Sequence, residues 1–210
     1  MYRARDWYPA PWRLRKSWKE GNPTPPGVVC VIVWINGPFG VGKTTLTAEL
    51  CRREPQARAF DPERIGWVLK RTVGLVRQGD YQDLPAWRSA TVAVAARQAR
   101  GADPLIVPMT VLRRQYLDEI FAGLRSRGHE VRHVLLDVSP PVLVERIESD
   151  TDPDPQGWRL DNLGTYLVAR HDLRRGGAVV DTDDLTADEV ADEVEALIQD
   201  WRDGRPAPDG

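Results

Sequence analysis

Apolar and polar residues change their rhythm at residue 28. Upstream, MYRARDWYPAPWRLRKSWKEGNPTPPG (1–27) mixes Arg and Lys with Trp7, Trp12 and Trp18 and ends in a Pro/Gly cluster. It keeps neither a helical nor an alternating period, so it reads as an extension or linker. Downstream, short β-branched runs alternate with longer segments of helical period. VVCVIVWI (28–35) suits a strand buried on both faces. ARAF (57–60), PLIVPM (104–109), VRHVLLDV (131–138) and AVVD (178–181) supply four more strands. Helical patterns fill the intervals, at 43–53, 62–76, 84–100, 112–127, 140–149, 158–174 and 186–202. The loop DTDPDPQG (150–157) interrupts them, and residues 204–210 read as a tail. Strands separated by helices imply an α/β domain over 28–203, with a mainly parallel five-stranded sheet covered by helices on both faces.

Composition narrows the class. A chain of 210 residues, 41% hydrophobic and 29% charged, is expected to bury one core of a soluble domain. The net charge of −2 gives no electrostatic case for nucleic acid as a partner. No apolar run reaches membrane-spanning length, and the Trp/Arg mixture of the first 27 residues has no amphipathic face, so stable membrane insertion is not expected. No apolar segment of signal-peptide type follows the basic start. Cys30 and Cys51, both in apolar contexts, are too few for a disulfide framework and point to the cytoplasm. Lysine occurs only at 16, 19, 43 and 70, so Lys43 does not reflect a general use of lysine. The oligomeric state is not legible.

The candidate chemistry lies where the first strand meets the first helix. INGPFGVGKTT (35–45) contains Gly37-x4-Gly42-Lys43-Thr44, the P-loop pattern G-x-x-x-x-G-K-[ST], in its required strand–loop–helix context. Gly37, Gly40 and Gly42, with Pro38, Phe39 and Val41 between them, let successive backbone N–H groups converge on phosphate oxygens, and the helix N-terminus adds partial positive charge. Lys43 is placed to neutralise the β- and γ-phosphates of ATP, the Thr44 hydroxyl to ligate Mg²⁺, and Thr45 follows in the same turn.

Asp61 lies just beyond the second strand, where parallel sheets gather functional groups. It can orient an acceptor hydroxyl, and Asp61-Pro62-Glu63 is equally a good helix-capping sequence. Glu63 and Arg64 read as a solvated first turn. Trp87 is either the wall of an acceptor pocket or part of the core, and Arg88 either a planar donor fork for the substrate or a surface residue. LIVPMT (105–110) ends without the acidic residue that many P-loop proteins place near magnesium, which leaves Asp61 to serve the metal as well.

The pieces VIVWINGPFGVGKTTLTAEL, FDPERIG, AWR and LIVPMTVLRRQYLDEI resemble the tunicamycin resistance proteins and related ATP-binding, kinase-like resistance proteins over residues 29–200. The resemblance implies a nucleoside/shikimate-kinase-like P-loop NTPase fold with a lid over residues 149–159. It also implies a Mg-ATP site, an acceptor pocket near the second and third strands, and protection against a nucleoside antibiotic. Gly37, Gly40, Gly42, Lys43, Thr44, Asp61, Trp87 and Arg88 match the family's pattern, and Arg146 matches an arginine that lies over the nucleotide base. The chain departs from related kinases in the lid, where IESDTDPDPQG (147–157) is acidic and lacks Arg and Lys. Arg159, just past the loop, is then the group left to meet the transferring phosphoryl.

Near the end, Asp181 and Thr182 are placed either to border the adenine or, with Asp183 and Thr186, to cap the last helix. The sequence therefore points to a Mg-ATP-dependent phosphotransferase acting on a small hydroxyl-bearing molecule, with Lys43, Asp61 and Arg159 as its catalytic groups. Sequestration of a drug without turnover, and a metabolic nucleoside or sugar kinase, are the alternatives.

Overall fold

In the structure, a computed structural model, residues 30–72, 80–150 and 156–204 are described. The expected extension at 1–27, the end of the helix expected over 62–76, most of the acidic loop and the last six residues lie outside them.

Strand β1 (Val31–Asn36) is buried along its whole length. Side chains alternate across a strand, and here the alternation divides the core in two. Ile32 and Trp34 join one cluster with Trp87, Ile120 and Leu135, whereas Val31, Val33 and Ile35 join the other with Leu46, Leu143 and Val194. A strand apolar on both sides belongs at the centre of a parallel sheet covered twice. The sheet has the order β2-β3-β1-β4-β5, with β2 Arg58–Ala59, β3 Leu105–Pro108, β4 Glu130–Asp137 and β5 Ala178–Asp181. All pairs are parallel.

Helices α1 (Lys43–Arg53), α2 (Glu63–Thr72), α3 (Pro85–Ala99), α4 (Arg114–Arg125), α5 (Pro140–Ser149), α6 (Gln156–Asp161), α7 (Leu163–Arg174) and α8 (Ala187–Arg202) complete the described chain. The first core carries α3, α4 and α7; the second carries α1, α5 and α8. Because β1 sits between β3 and β4, the loop leaving β1 emerges at the carboxyl edge of the sheet where the strand order reverses, the usual ligand position in open α/β sheets.

Two of the boundaries that differ from the periodicity have a visible cause. The fourth helix begins at Arg114 rather than 112, because Asn36 holds both backbone groups of Val111: its Oδ1 accepts from Val111 N at 3.0 Å and its Nδ2 donates to Val111 O at 2.9 Å. The single helix expected over 158–174 is broken at Asn162, whose side-chain amide donates to the Trp158 carbonyl at 2.7 Å. A short polar side chain that binds nearby backbone competes with helix continuation in this way. At the C-terminal helix, Thr186 and Glu189 form a reciprocal capping box.

Candidate functional site

The β1–α1 loop is braced from two sides. The Asn36 carboxamide accepts the Gly37 N–H at 2.9 Å while gripping Val111, and the Thr110 hydroxyl donates to the Gly37 carbonyl at 2.8 Å. Asn36 and Thr110 are both buried, so two polar side chains tie the loop to the end of β3. Gly37 has φ +145°, and a Cβ there would stand 2.6 Å from the Leu136 carbonyl oxygen; neither the backbone nor the space admits a side chain. Gly42, at φ +99° with open space around it, is required for its conformation alone. Pro38 and Val41 are buried, Phe39 is half-buried, and Thr44 and Thr45 are exposed in the first turn of α1.

Lys43 folds back over this loop. Its Nζ donates to the carbonyls of Pro38 at 2.7 Å and Gly37 at 3.1 Å, and lies 5.6 Å from the Phe39 ring. No carboxylate among the described residues lies within ion-pairing distance of it. Desolvation pushes its pKa down to about 7; the Glu63 carboxylate opposes this and the Arg159 guanidinium adds to it. A cation held by carbonyl dipoles, with its countercharge at a distance, is under-compensated, and a polyanion is the chemistry that completes it. The convergent glycines and the helix N-terminus beside it suit phosphate. For magnesium the available donors are the Thr44 hydroxyl and Asp61. No cluster of three or more His, Cys, Asp or Glu occurs among the described residues. That fits an ion shared with phosphates and waters, which needs only one or two protein ligands.

The remaining candidates divide. Asp61 accepts the Glu63 N–H at 2.9 Å through Oδ1, so it caps α2 at the carboxyl edge of the sheet. Arg146 donates to both the hydroxyl, at 3.0 Å, and the carbonyl of Thr182, bringing together two of the three residues expected at the base. Thr182 is itself fixed by the Asp137 carbonyl, and exposed Asp181 closes the turn by accepting the Asp183 N–H. Arg159 donates to Asp150 at 2.7 Å, and its charge reaches Lys43. Trp87 is 0% exposed and donates its indole N–H to the Pro62 carbonyl, so it packs the core beneath α2 instead of walling an open pocket. Arg88 is buried, stacked 4.3 Å from the Tyr116 centroid, with its donors on Glu119 and the Gln82 carbonyl. Both support the site from behind.

Three features escape the sequence reading. Asn36 braces the loop, and its only signal is a polar residue closing an apolar strand. Glu63, read as solvated, acts electrostatically on Lys43. Asp137, 0% exposed at the end of β4, accepts from Tyr166 and Arg174 and from Arg170 at 2.8 and 2.9 Å.

An AAA domain family matches residues 32–154. Among solved structures, the tunicamycin resistance protein of Deinococcus radiodurans is 32% identical with a TM-score of 0.64, over 80% of this chain and 95% of its own. The chain belongs to the tunicamycin resistance protein family. A gluconokinase from Sinorhizobium meliloti 1021 is similar at 20% identity and TM-score 0.60, over 83% of this chain and 94% of that one. The Mycobacterium tuberculosis APS kinase in complex with AMPPNP and APS is similar at 18% and 0.55, over 81% and 98%. These two likenesses show the family's fold, that of P-loop kinases. No protein in the curated comparison matches the chain. No helix among the described residues is long and apolar enough to cross a membrane.

Proposed function

We propose that this member of the family is a cytoplasmic, Mg-ATP-dependent kinase that phosphorylates a hydroxyl of a small molecule, with a nucleoside antibiotic such as tunicamycin as the favoured acceptor. The observation that carries the proposal is Lys43, a cation folded over a braced glycine loop with protein carbonyls in place of a carboxylate. When bound, Mg-ATP would supply the transferable phosphoryl group and positive charge to offset that of the phosphates. Backbone N–H groups between Phe39 and Gly42 and the Lys43 ammonium would hold the phosphates, and Thr44 and Asp61 would hold the metal. Arg146, Asp181 and Thr182 border the base. Asp61 orients and deprotonates the acceptor hydroxyl, and Arg159 offsets charge developing on the phosphoryl oxygens. Trp87 and Arg88 set the acceptor side through Pro62 and Gln82. The identity of the Deinococcus relative supports the acceptor class.

A second reading, drug sequestration without turnover, draws support from the pairing of Arg159 with Asp150, which occupies one of the guanidinium donors. Mass spectrometry of tunicamycin after incubation with protein and Mg-ATP separates the two. The wild type should add the mass of one phosphate. Asp61→Asn retains capping, since Asn caps about as well as Asp, and should slow transfer roughly 10²–10⁴-fold while affinity for metal-free ATP barely changes. Protection of cells by both proteins with no mass change would overturn the kinase reading.

A further inference from the structure

The six-residue helix α6 lies against the phosphate loop in a way the phosphate chemistry alone does not explain. Trp158 leaves 46% of its surface exposed, yet the side chain of the next residue, Arg159, is only 8% exposed. The half-exposed indole meets the Phe39 ring edge-on, with centroids 4.5 Å apart and planes at 62°. Phe39 thus stands between Lys43 and Trp158, touching the P-loop lysine on one side and α6 on the other. A helix this short has almost no stability of its own and is held by what it packs against. Electrostatics work against the placement, because Arg159 and Lys43 carry like charges close enough for one to depress the pKa of the other. Asp150 offsets part of that repulsion, Leu160 packs against the second core, and the aromatic pair joins α6 to the loop through Phe39.

We infer that Trp158 is a positioning residue: by its edge-on contact with Phe39 it docks α6 on the phosphate loop and holds Arg159 within reach of the phosphates. The docking follows from the contacts alone; its benefit to catalysis rests on the kinase reading. Offset and edge-to-face aromatic pairs contribute enough to shift a local docking equilibrium by up to about tenfold. Trp158→Ala should therefore raise the undocked fraction of α6 by up to about tenfold without unfolding the sheet, whose cores lack this indole.

Two readouts test this. The first is trypsin cleavage between Arg159 and Leu160, followed by mass spectrometry of the fragments. Trp158→Ala should be cut there about tenfold faster than wild type, with other sites unaffected, and Phe39→Leu should reproduce the effect from the other side of the contact. Trp158→Phe, which keeps an aromatic edge, should restore most of the protection. The second is turnover with saturating Mg-ATP and acceptor, where Trp158→Ala should lower kcat, by at most about twofold when docking weakens tenfold, with ATP affinity within twofold of wild type. Cleavage of both Trp158→Ala and Phe39→Leu at the wild-type rate overturns the inference whether or not turnover is seen. Loss of protection in a protein whose wild type transfers no phosphate upholds the docking role and sinks the kinase reading instead.

Discussion

Asp137 is fully and Lys43 partly withdrawn from water near the carboxyl edge of the sheet, and their surroundings are opposites. Asp137, at the end of β4, is met by two arginines of α7 one turn apart and by the Tyr166 hydroxyl. Lys43 is met by two carbonyl oxygens and an aromatic ring. Burying a charge is costly unless it is paired, so the first arrangement is complete within the protein and the second calls for an anion from outside. The difference separates a structural charge from a ligand-binding one without reference to any motif. Asp137 fastens α7 to the sheet, and through its backbone carbonyl it also holds Thr182, the partner of Arg146.

Removing each charge should have opposite consequences. Asp137→Ala leaves Arg170 and Arg174 facing one another without their carboxylate. Breaking a buried pair typically costs 3–5 kcal/mol, and because the two arginine side chains are 31% and 44% exposed, the lower end is expected, about 3 kcal/mol. Urea unfolding measures it; a loss below about 1 kcal/mol would mean that the arginines re-solvate freely and that the cluster is not a fastening. Lys43→Ala should leave stability unchanged or slightly raised, since it removes a desolvated cation. Mg-ATP affinity should fall at least about tenfold, the size of one charge-assisted contact of about 1.5–3 kcal/mol. Calorimetry that finds undiminished nucleotide binding in a folded Lys43→Ala protein would remove the P-loop assignment and with it the contrast.

How much of this was legible follows from sequence distance. All five strands stood out because each is a short apolar run between helical segments, and the phosphate loop stood out because its glycines, Lys43 and Thr44 are contiguous. The start of α4 did not, since it is set by Asn36, which lies 75 residues before the backbone it holds. Asp137 and its arginines are 33 and 37 residues apart, and the only local hint was a carboxylate closing the apolar run Val134–Leu136. Trp87 and Arg88 sit in a motif that suits a pocket wall or a core equally. Contacts with Pro62 and Glu119 decide between them, and no local pattern reports such contacts. Arg146 was expected at the base through family resemblance and Thr182 from its place after the last strand, but that the two bond to one another, 36 residues apart, was not legible.

A buried histidine sharpens the contrast with the smallest expected effect. His133, on β4 beside the Phe121 ring, shares a hydrogen bond with the Gly176 carbonyl through Nδ1, and its Nε2 has no partner among the described residues. Burial pushes its pKa down to about 4; the Gly176 carbonyl opposes the shift and Arg114 adds to it. The imidazole is therefore kept neutral in the folded state, whereas it takes up a proton near pH 6.5 when unfolded. Below pH 6.5 the unfolded chain binds more protons than the folded one, so stability falls as pH drops from about 6.5 toward 4 and levels off for this group below that. Between pH 6.5 and 5.5 the loss is about 1 kcal/mol. His133→Gln keeps a polar side chain of similar size without the titration, and its unfolding free energy should lose that portion of the pH slope while the slope due to carboxylates remains. Equal slopes for wild type and His133→Gln across that unit would show that His133 is protonated in the folded protein. The interior of the sheet would then tolerate a charge without the countercharges that surround Asp137, and an under-compensated Lys43 would no longer mark a ligand site.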